Sequence, residues 1–466
     1  MTAAPAYSDT RGIRTAGLTN RWPRGLRIYV VLQGVWIALY ALFGKGFAYT
    51  GISPFYVGEI LLTLALVTLA VSRRVRSILF TPVGVLLALF LGWQAFCAAQ
   101  SIGVYGLDTF RDSVIWAYAV FGCVLAALIL RMPGLLSAII EQFSRCGRWF
   151  LVLGPVAWLA TTYLRDYLPR WPGTTITIPL VKGDEYCVHL AGVLALALQG
   201  FGVVRQGWVL LILADAMLAM NVRSGLLAFV VAASFAVVLR PRPQRLVVVV
   251  ACITTLVTVM AAFDFRVTVP GTTRELSVQQ LGDNLQSVIR STSSSDLEGT
   301  RQWRLIWWQR IVDYTVFGPY FWMGKGYGVN LADSDGFQVG TRDEPLRSPH
   351  SSHLTFLARS GVPGFVLWAA LQLTWVSLML KSYFQARRHQ AKAWVGIFAW
   401  LMAYWLAFIM AAGFDVFLEG PMAGIPFWSL FGVGWGAHIL FQSQLHKAGV
   451  RIPHIQTKAL RMAYAE

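Results

Sequence analysis

Charged side chains are scarce in this sequence. Only 13% of the 466 residues are Asp, Glu, Lys or Arg, whereas 56% are hydrophobic. A soluble protein of this length would fold as two or three domains, with about a quarter of its residues charged. The chain instead contains repeated apolar runs of roughly 17 to 22 residues, the length of a helix that crosses a bilayer. These features exclude a soluble enzyme and predict an all-α, polytopic membrane protein.

Cysteine is also rare, with five residues in the whole chain. All five lie in or beside the apolar runs, and no two of them form a Cys-x-x-Cys pair. The long polar stretch 264–350 contains none. We therefore expect neither a disulfide framework nor a cysteine-based metal site.

The apolar runs predict about twelve membrane-spanning helices. The first run follows a basic arm and lacks a small-residue cleavage site, so it is predicted to be a retained helix and not a signal peptide. The twelve predicted spans are centred on residues 28–44, 54–72, 79–99, 113–131, 149–164, 187–204, 207–222, 224–240, 246–263, 354–380, 393–413 and 423–441.

Acidic residues are nearly absent from the cytoplasmic side of the predicted membrane topology. With a cytoplasmic amino terminus, 23 of the 39 Lys and Arg residues lie on the cytoplasmic side, together with only three of the 22 acidic residues. This is the positive-inside pattern of membrane proteins. The net charge of +17 is therefore explained by topology, and nucleic-acid binding is not expected.

Five regions follow from this topology. Residues 1–27 form a basic cytoplasmic arm, and residues 444–466 form a basic cytoplasmic tail. Residues 28–263 contain the first nine spans, and residues 351–443 contain the last three. Between these two blocks, residues 264–350 form a large outer loop that is predicted to contain short helices. Such a loop is too long to be a connector and is expected to be functional.

The stretch RSPHSSHLTFLARSGVPG, residues 347–364, places two histidines and an arginine where this loop enters the tenth span. Ser348 is predicted to be the helix N-cap, which would put His350 in the first turn. The positive end of a helix dipole disfavours a protonated imidazole, so we expect His350 to be neutral and able to accept a proton. Gly361 and Gly364 would let a neighbouring helix approach closely. The alternative is a polar helix cap at the membrane interface without a catalytic role.

Four stretches together resemble the O-antigen ligase family, in the superfamily of O-antigen ligases and polymerases. The pattern H-S-x9-G-x-x-G at His350–Gly364 is similar to the family signature. MNVRSGLLAF at 220–229 resembles an arginine followed by small residues, and 299–328 resembles a pattern of arginine, tryptophan and a closing Gly-x-Gly. EYCVHLAGVLALAL at 185–198 is similar to an Asn-His-Leu-Ala-Gly element, with Val188 in place of the asparagine.

The resemblance implies a GT-C-type glycosyltransferase of the bacterial inner membrane that uses no metal or other cofactor and whose active site faces the periplasm. It implies a glycan on undecaprenyl diphosphate as the donor and the lipid A–core oligosaccharide as the acceptor. Elementary chemistry agrees, because a departing diphosphate needs cations and the acceptor hydroxyl needs a base. His350 is the expected base.

Outer-side basic residues are the candidates for binding the diphosphate. Arg223 ends the seventh predicted span at headgroup depth, where an anchoring arginine is the ordinary alternative. The resemblance favours a catalytic role for Arg223 at the donor diphosphate. Arg301 and Arg304 share one face of a predicted amphipathic helix, with Trp303, Ile306, Trp307 and Ile311 largely on another. The remaining candidates are Arg347 and Lys325 for the diphosphate, and Asp415 and His189 for orienting His350.

Three other functions stay open from the sequence. A Wzy-type O-antigen polymerase would join repeat units, but polymerases tend to have two comparable outer loops, and here 165–186 is far shorter than 264–350. A protein O-oligosaccharyltransferase often has an added carboxy-terminal soluble domain, which is not expected here. A polysaccharide exporter or flippase should have broken midplane helices and several charges deep in its spans. Only Asp215 and Glu59 are acids of that kind.

Overall fold

The computed structural model describes residues 23–52, 55–71, 75–201, 222–239, 295–339 and 345–449, with isolated positions between 208 and 276. These residues are predominantly helical, which confirms the predicted all-α membrane protein. Strands β1 (Gly51–Ile52) and β2 (Phe55–Tyr56) form one antiparallel pair, and β3 (Val267–Thr268) and β4 (Glu275–Leu276) form another. The helices are α1 (Arg24–Phe43), α2 (Lys45–Ala48), α3 (Val57–Ala70), α4 (Val75–Leu79), α5 (Pro82–Tyr105), α6 (Leu107–Ala117), α7 (Ala119–Arg131), α8 (Gly134–Tyr163), α9 (Gly183–Leu198), α10 (Arg223–Leu239), α11 (Ser295–Thr315), α12 (Leu331–Asp335), α13 (Ser352–Arg388), α14 (Lys392–Ala412) and α15 (Pro421–Lys447), with a 3₁₀ turn at Arg165–Tyr167.

Six helical stretches of the described chain are long and apolar enough to cross a membrane: α1, α5, the α6–α7 pair, α13, α14 and α15. Two shorter apolar helices, α3 and α10, accompany them. Ten of the twelve predicted spans coincide with helices. The other two, 207–222 and 246–263, lie almost wholly outside the described residues. The total of twelve therefore stays a prediction.

Helix α15 lies at the centre of the bundle, where its apolar length is buried on every side. The Trp428 ring packs at a tilt against Phe90 of α5 and edge-to-face with Trp368 of α13, and the indole N–H groups of α15 still find acceptors. Trp428 Nε1 donates to Ile115 O at 3.2 Å, and Trp435 Nε1 donates to Thr81 Oγ1 at 3.0 Å. Because an unpaired polar group is costly in an apolar interior, these bonds allow tryptophan to fill the core.

Helix α13 is interrupted at Gly361, where φ is 68° and ψ is −171°. Only glycine adopts this left-handed region without strain. A Cβ at Gly361 would overlap the carbonyl oxygens of Phe321 and Trp322, and Val362 N donates to Phe321 O at 2.8 Å. The prediction that Gly361 accommodates a neighbouring helix is therefore wrong, because the backbone that approaches it belongs to the large loop.

The carbonyl groups that this interruption releases are satisfied by the loop segment 320–326. Lys325 N donates to Ala358 O at 2.7 Å, and Gly326 N donates to Arg359 O at 3.1 Å. A helix break inside a membrane protein is tolerated only where its backbone groups find such partners. The large loop is therefore joined to α13 through main-chain hydrogen bonds.

The described part of the large loop folds onto the same helix. Trp307 and Ile311 of α11 are buried against Leu331 of α12 and Leu357 of α13. This confirms the predicted amphipathic face for those two residues. Ile306 is 61% exposed, so its predicted place on the Trp307 face is wrong. Its position in the helical turn points it away from α13.

Candidate active site

Helix α13 begins later than the sequence predicts. Its N-cap is Ser351, whose side chain accepts a hydrogen bond from Leu354 N, and its first residue is Ser352. Ser348 is therefore not the N-cap, and His350 lies before the helix, not in its first turn. The physical reason is the backbone of His350, whose φ of 52° is left-handed and incompatible with a helix.

This unusual backbone turns the His350 ring toward the loop between α14 and α15. His350 Nδ1 lies 3.0 Å from Asp415 Oδ1. The edge of the Trp303 ring packs against the imidazole, with the ring centroids 6.1 Å apart. Trp308 Nε1 donates to Pro349 O at 2.7 Å and holds the preceding residue. A strained backbone that neighbouring contacts enforce is typical of a functional site.

The charge on Asp415 determines which tautomer His350 adopts. Burial raises the pKa of Asp415, but the Lys182 ammonium and the hydrogen bond from His350 outweigh burial and hold this pKa well below its usual range. Asp415 is thus a carboxylate, and its Oδ1 also accepts a hydrogen bond from Val416 N at 2.8 Å. A carboxylate only accepts hydrogen bonds, so His350 Nδ1–H must donate to it.

The lone pair of a neutral His350 therefore lies on Nε2. Among the residues that the structure describes, none forms a hydrogen bond with Nε2. The His350 side chain is 26% exposed, so a substrate hydroxyl can reach the ring. A histidine oriented by a carboxylate through Nδ1, with Nε2 available, is the arrangement of a general base.

The loop that carries Asp415 is fixed to the start of α13. Leu418 N donates to Ser352 Oγ at 3.0 Å, and Thr355 Oγ1 donates to Glu419 Oε1 at 2.7 Å. Burial raises the pKa of Glu419. The two hydrogen bonds, from Leu418 N and from Thr355 Oγ1, hold Asp415 in place beside His350. The sequence prediction named Asp415 as a possible orienting residue, and the structure brings the two side chains together.

Arg223 is the first residue of α10, and this end of α10 packs on the start of α9. A Cβ added to Gly225 would lie 2.8 Å from the Cα of Asp184. Lys182, just before α9, has its Nζ 3.4 Å from Asp415 Oδ2. The structure therefore places Arg223 at the same end of the bundle as the His350–Asp415 pair.

Arg347 lies in an ion-pair cluster around Asp112 of α6. Its Nη2 donates to Asp112 Oδ2 at 3.2 Å and to Gly328 O at 2.9 Å. Arg359 Nη1 lies 2.9 Å from the same carboxylate oxygen, with the Arg359 side chain 2% exposed. This geometry favours a structural role for Arg347. Sequence reasoning missed the ion pair between Arg359 and Asp112. The signal was Arg359 itself, because an arginine inside an apolar span usually has a specific partner.

Lys325 is also engaged within the protein. Its Nζ forms an ion pair with the buried Asp335 and donates to Ser334 Oγ at 2.8 Å. Trp307 Nε1 donates to the other oxygen of Asp335 at 2.7 Å. The ammonium also lies 4.4 Å from the centre of the Tyr314 ring. These contacts favour a role for Lys325 in joining the loop helices over binding of a diphosphate.

Arg301 and Arg304 are both half-buried on α11. Arg304 Nη1 donates to Phe414 O at 2.9 Å, so this arginine lies next to the residue before Asp415. Position along the helix places Arg301 almost one turn further toward the start of α11. Both remain candidates for donor contact at the edge of the site.

The other two histidines of the sequence motifs are held inside the bundle. His353 Nε2 lies 3.1 Å from Ile409 O, and Trp368 Nε1 donates to His353 Nδ1 at 3.2 Å. His189 Nδ1 lies 2.7 Å from the Tyr404 hydroxyl, in a buried aromatic surrounding. In the described part of the chain no contact joins His189 to His350, so the structure does not bring this candidate to the pair.

Residues 208–369 match the family model described as O-antigen ligase. The chain carries a domain of the O-antigen ligase family. For this segment, the family implies a membrane glycosyltransferase-like activity of the O-antigen ligase and polymerase type. A search of curated proteins finds no match to the chain. The O-antigen ligase domain contains Arg223 and His350, whereas Asp415 and Lys182 come from outside the matched range.

Proposed function

We propose that the protein is an O-antigen ligase that transfers a glycan from undecaprenyl diphosphate to the lipid A–core oligosaccharide. The reaction takes place in the periplasmic leaflet of the bacterial inner membrane. The observation that carries this proposal is the His350–Asp415 pair within and beside the O-antigen ligase domain, with Nδ1 bound to the carboxylate.

The chemistry is a single displacement at the anomeric carbon of the donor sugar. His350 Nε2 takes the proton of the acceptor hydroxyl as its oxygen attacks this carbon, and the bond to the diphosphate oxygen breaks. The electron pair leaves with the diphosphate, and the guanidinium of Arg223 stabilises the developing charge. The attack comes from the face opposite the leaving group, so the anomeric configuration inverts. Arg301 and Arg304 extend the cationic surface along α11.

Two related reactions use the same donor. A polymerase would pass the glycan to another lipid-linked repeat, and a protein O-oligosaccharyltransferase would pass it to a serine or threonine. Both need the same base, so His350 does not separate them from a ligase. An exporter or flippase takes no proton from a hydroxyl, so its transport step does not require a general base. The geometry therefore favours a transferase.

The lipopolysaccharide ladder of a deletion strain tests the ligase assignment. We expect the strain to lose all glycan on the lipid A–core and to accumulate lipid-linked polymer, both visible on gels. The wild-type gene on a plasmid should restore the ladder, and a His350→Ala gene should not. A deletion strain that still carries one repeat unit on each core would identify a polymerase. An unchanged ladder would exclude both activities.

The orientation of the bundle can be tested with one matched pair of cysteines. Gln309 of α11 and Gln142 of α8 are both exposed, and Cys146→Ser removes the exposed thiol among the described cysteines. In cells with a permeabilised outer membrane, an impermeant maleimide should label Gln309→Cys at once. Gln142→Cys should react only after the inner membrane is lysed. The opposite labelling order would place the His350 end of the bundle in the cytoplasm.

A further inference from the structure

Asp415 has a second set of contacts, on the side facing away from His350. Its Oδ2 lies 3.4 Å from Lys182 Nζ, and its carboxyl group lies close enough to that of the buried Asp184 for the two to share a hydrogen bond. Lys182 and Asp184 flank the first residue of α9, Gly183. Lys182 and Asp184, at the start of α9, therefore both face Asp415, the residue that orients His350.

Two carboxyl groups can share a hydrogen bond only if one of them carries a proton. Asp415 is the ionised partner, because it receives hydrogen bonds from His350 and Val416 and faces Lys182. Asp184 is 1% exposed, and burial favours the neutral form of a carboxyl group. The proton therefore belongs to Asp184, which donates to Asp415.

We propose that Lys182 and a protonated Asp184 are positioning residues that keep Asp415 ionised and aimed at His350 Nδ1. Neither residue touches the substrate. Lys182 supplies the charge that favours the carboxylate, and Asp184 supplies a hydrogen-bond donor from the opposite side. Together they fix the rotamer of Asp415, and through it the imidazole with Nε2 facing the substrate. This inference rests on the proposed role of His350 as the base.

The charged and titratable groups around Asp415 come from every element that packs against it. His350 lies before α13, and the start of α9 contributes three residues. Glu185 is buried and interacts with Lys182, with Asp415 and with Lys45 of α2. Arg304 of α11 reaches the adjacent carbonyl. Within the described residues, the groups that act on Asp415 directly, through Glu185 or at the adjacent carbonyl are His350, Lys182, Asp184, Glu185, Lys45 and Arg304.

Two substitutions of Asp184 test whether this residue acts as a neutral hydrogen-bond donor or as a charged carboxylate. Asp184→Asn keeps the shape and an N–H donor, so it should retain most of the wild-type rate of glycan transfer. Asp184→Ala removes a hydrogen bond to a charged group and should lower the rate by about tenfold to hundredfold. The assay uses purified protein with an undecaprenyl-diphosphate glycan and lipid A–core. Asp166→Asn, at a side chain 91% exposed, is the matched control and should leave the rate unchanged.

An inactive Asp184→Asn protein, or a fully active Asp184→Ala protein, would overturn the role of Asp184. Thermal unfolding in detergent shows whether each variant is folded. If Asp184→Ala does not fold, the Asn variant alone still decides. Failure of the proposed function is distinct, because then the wild-type protein itself would not transfer glycan to lipid A–core.

The pH dependence tests Lys182 separately. Lys182→Met removes the charge that lowers the pKa of Asp415, so this pKa rises and the carboxylate takes up a proton at a higher pH. The acidic side of the kcat/KM profile should therefore move to higher pH, and Lys182→Arg should restore its position. A loss of packing alone would lower the rate equally at all pH values. Parallel profiles for Lys182→Met and the wild-type protein would therefore overturn the positioning role.

Discussion

The His350→Ala variant should remain folded and lose glycan transfer by about 10²–10⁴-fold, the usual contribution of a general base. Without Nε2, the acceptor hydroxyl must lose its proton to water as it attacks. The variant still has Asp415 and the arginines, so donor binding should persist. Single-turnover transfer from a defined lipid diphosphate to lipid A–core, measured in the presence of a chelator, gives the rate.

His353→Ala is the matched control for this variant. His353 bonds to Trp368 and to Ile409 O inside the bundle, so its loss should lower the melting temperature more than the rate of the folded protein. A His350→Ala protein that transfers near the wild-type rate would place the base elsewhere. If the chelator alone stops the wild-type enzyme, a metal ion takes part in the reaction.

The Arg223→Ala variant should also lose nearly all transfer, because the departing diphosphate would lack its main counter-charge. Arg223→Lys keeps the charge but not the two-pronged guanidinium, so we expect it to be badly impaired as well. A purely anchoring arginine at the membrane interface would tolerate lysine, since both side chains reach the headgroups in the same way. The same transfer assay, at equal amounts of folded protein, separates these two roles.

Arg310→Ala provides the comparison for Arg223. Arg310 is an exposed arginine on α11, and removing it changes the net charge by the same amount. We expect this variant to transfer glycan at the wild-type rate. Near-normal transfer by Arg223→Ala would reduce Arg223 to a membrane anchor. An equal loss in both variants would show that overall charge matters, not a specific contact with the diphosphate.

Composition and periodicity were sufficient to predict the helical bundle, because the length of an apolar run has one physical solution in a bilayer. Helix-capping arguments and the resemblance to O-antigen ligases pointed to His350 as the candidate base. These arguments did not predict the backbone conformation of His350, since Ser348 and Ser351 are equally good N-caps by residue type. In the structure Ser351 is the N-cap, because the left-handed φ of His350 prevents the helix from beginning before that residue.

Most contacts between distant parts of the chain could not be read from the sequence, although Asp415 was among the candidates for orienting His350. Asp415 is 65 positions away from His350, and Lys182 is 233 positions away from Asp415. No local pattern distinguishes the internally paired Lys325 from a lysine free to bind a ligand. That distinction depends on Asp335, which becomes a neighbour only when α12 folds against α11.

The interruption at Gly361 has a consequence for how related proteins can diverge. The loop is joined to α13 there by main-chain N–H and C=O groups, which every residue except proline supplies equally. The seam itself therefore requires no particular side chain, and Lys325 and Arg359 are constrained instead by their own ion pairs. The space between the two backbones is not free to vary, because a Cβ at Gly361 or Gly324 would overlap the opposite chain. As related sequences diverge in this region, we expect the spacing of the two glycines, Gly324 and Gly361, to be retained.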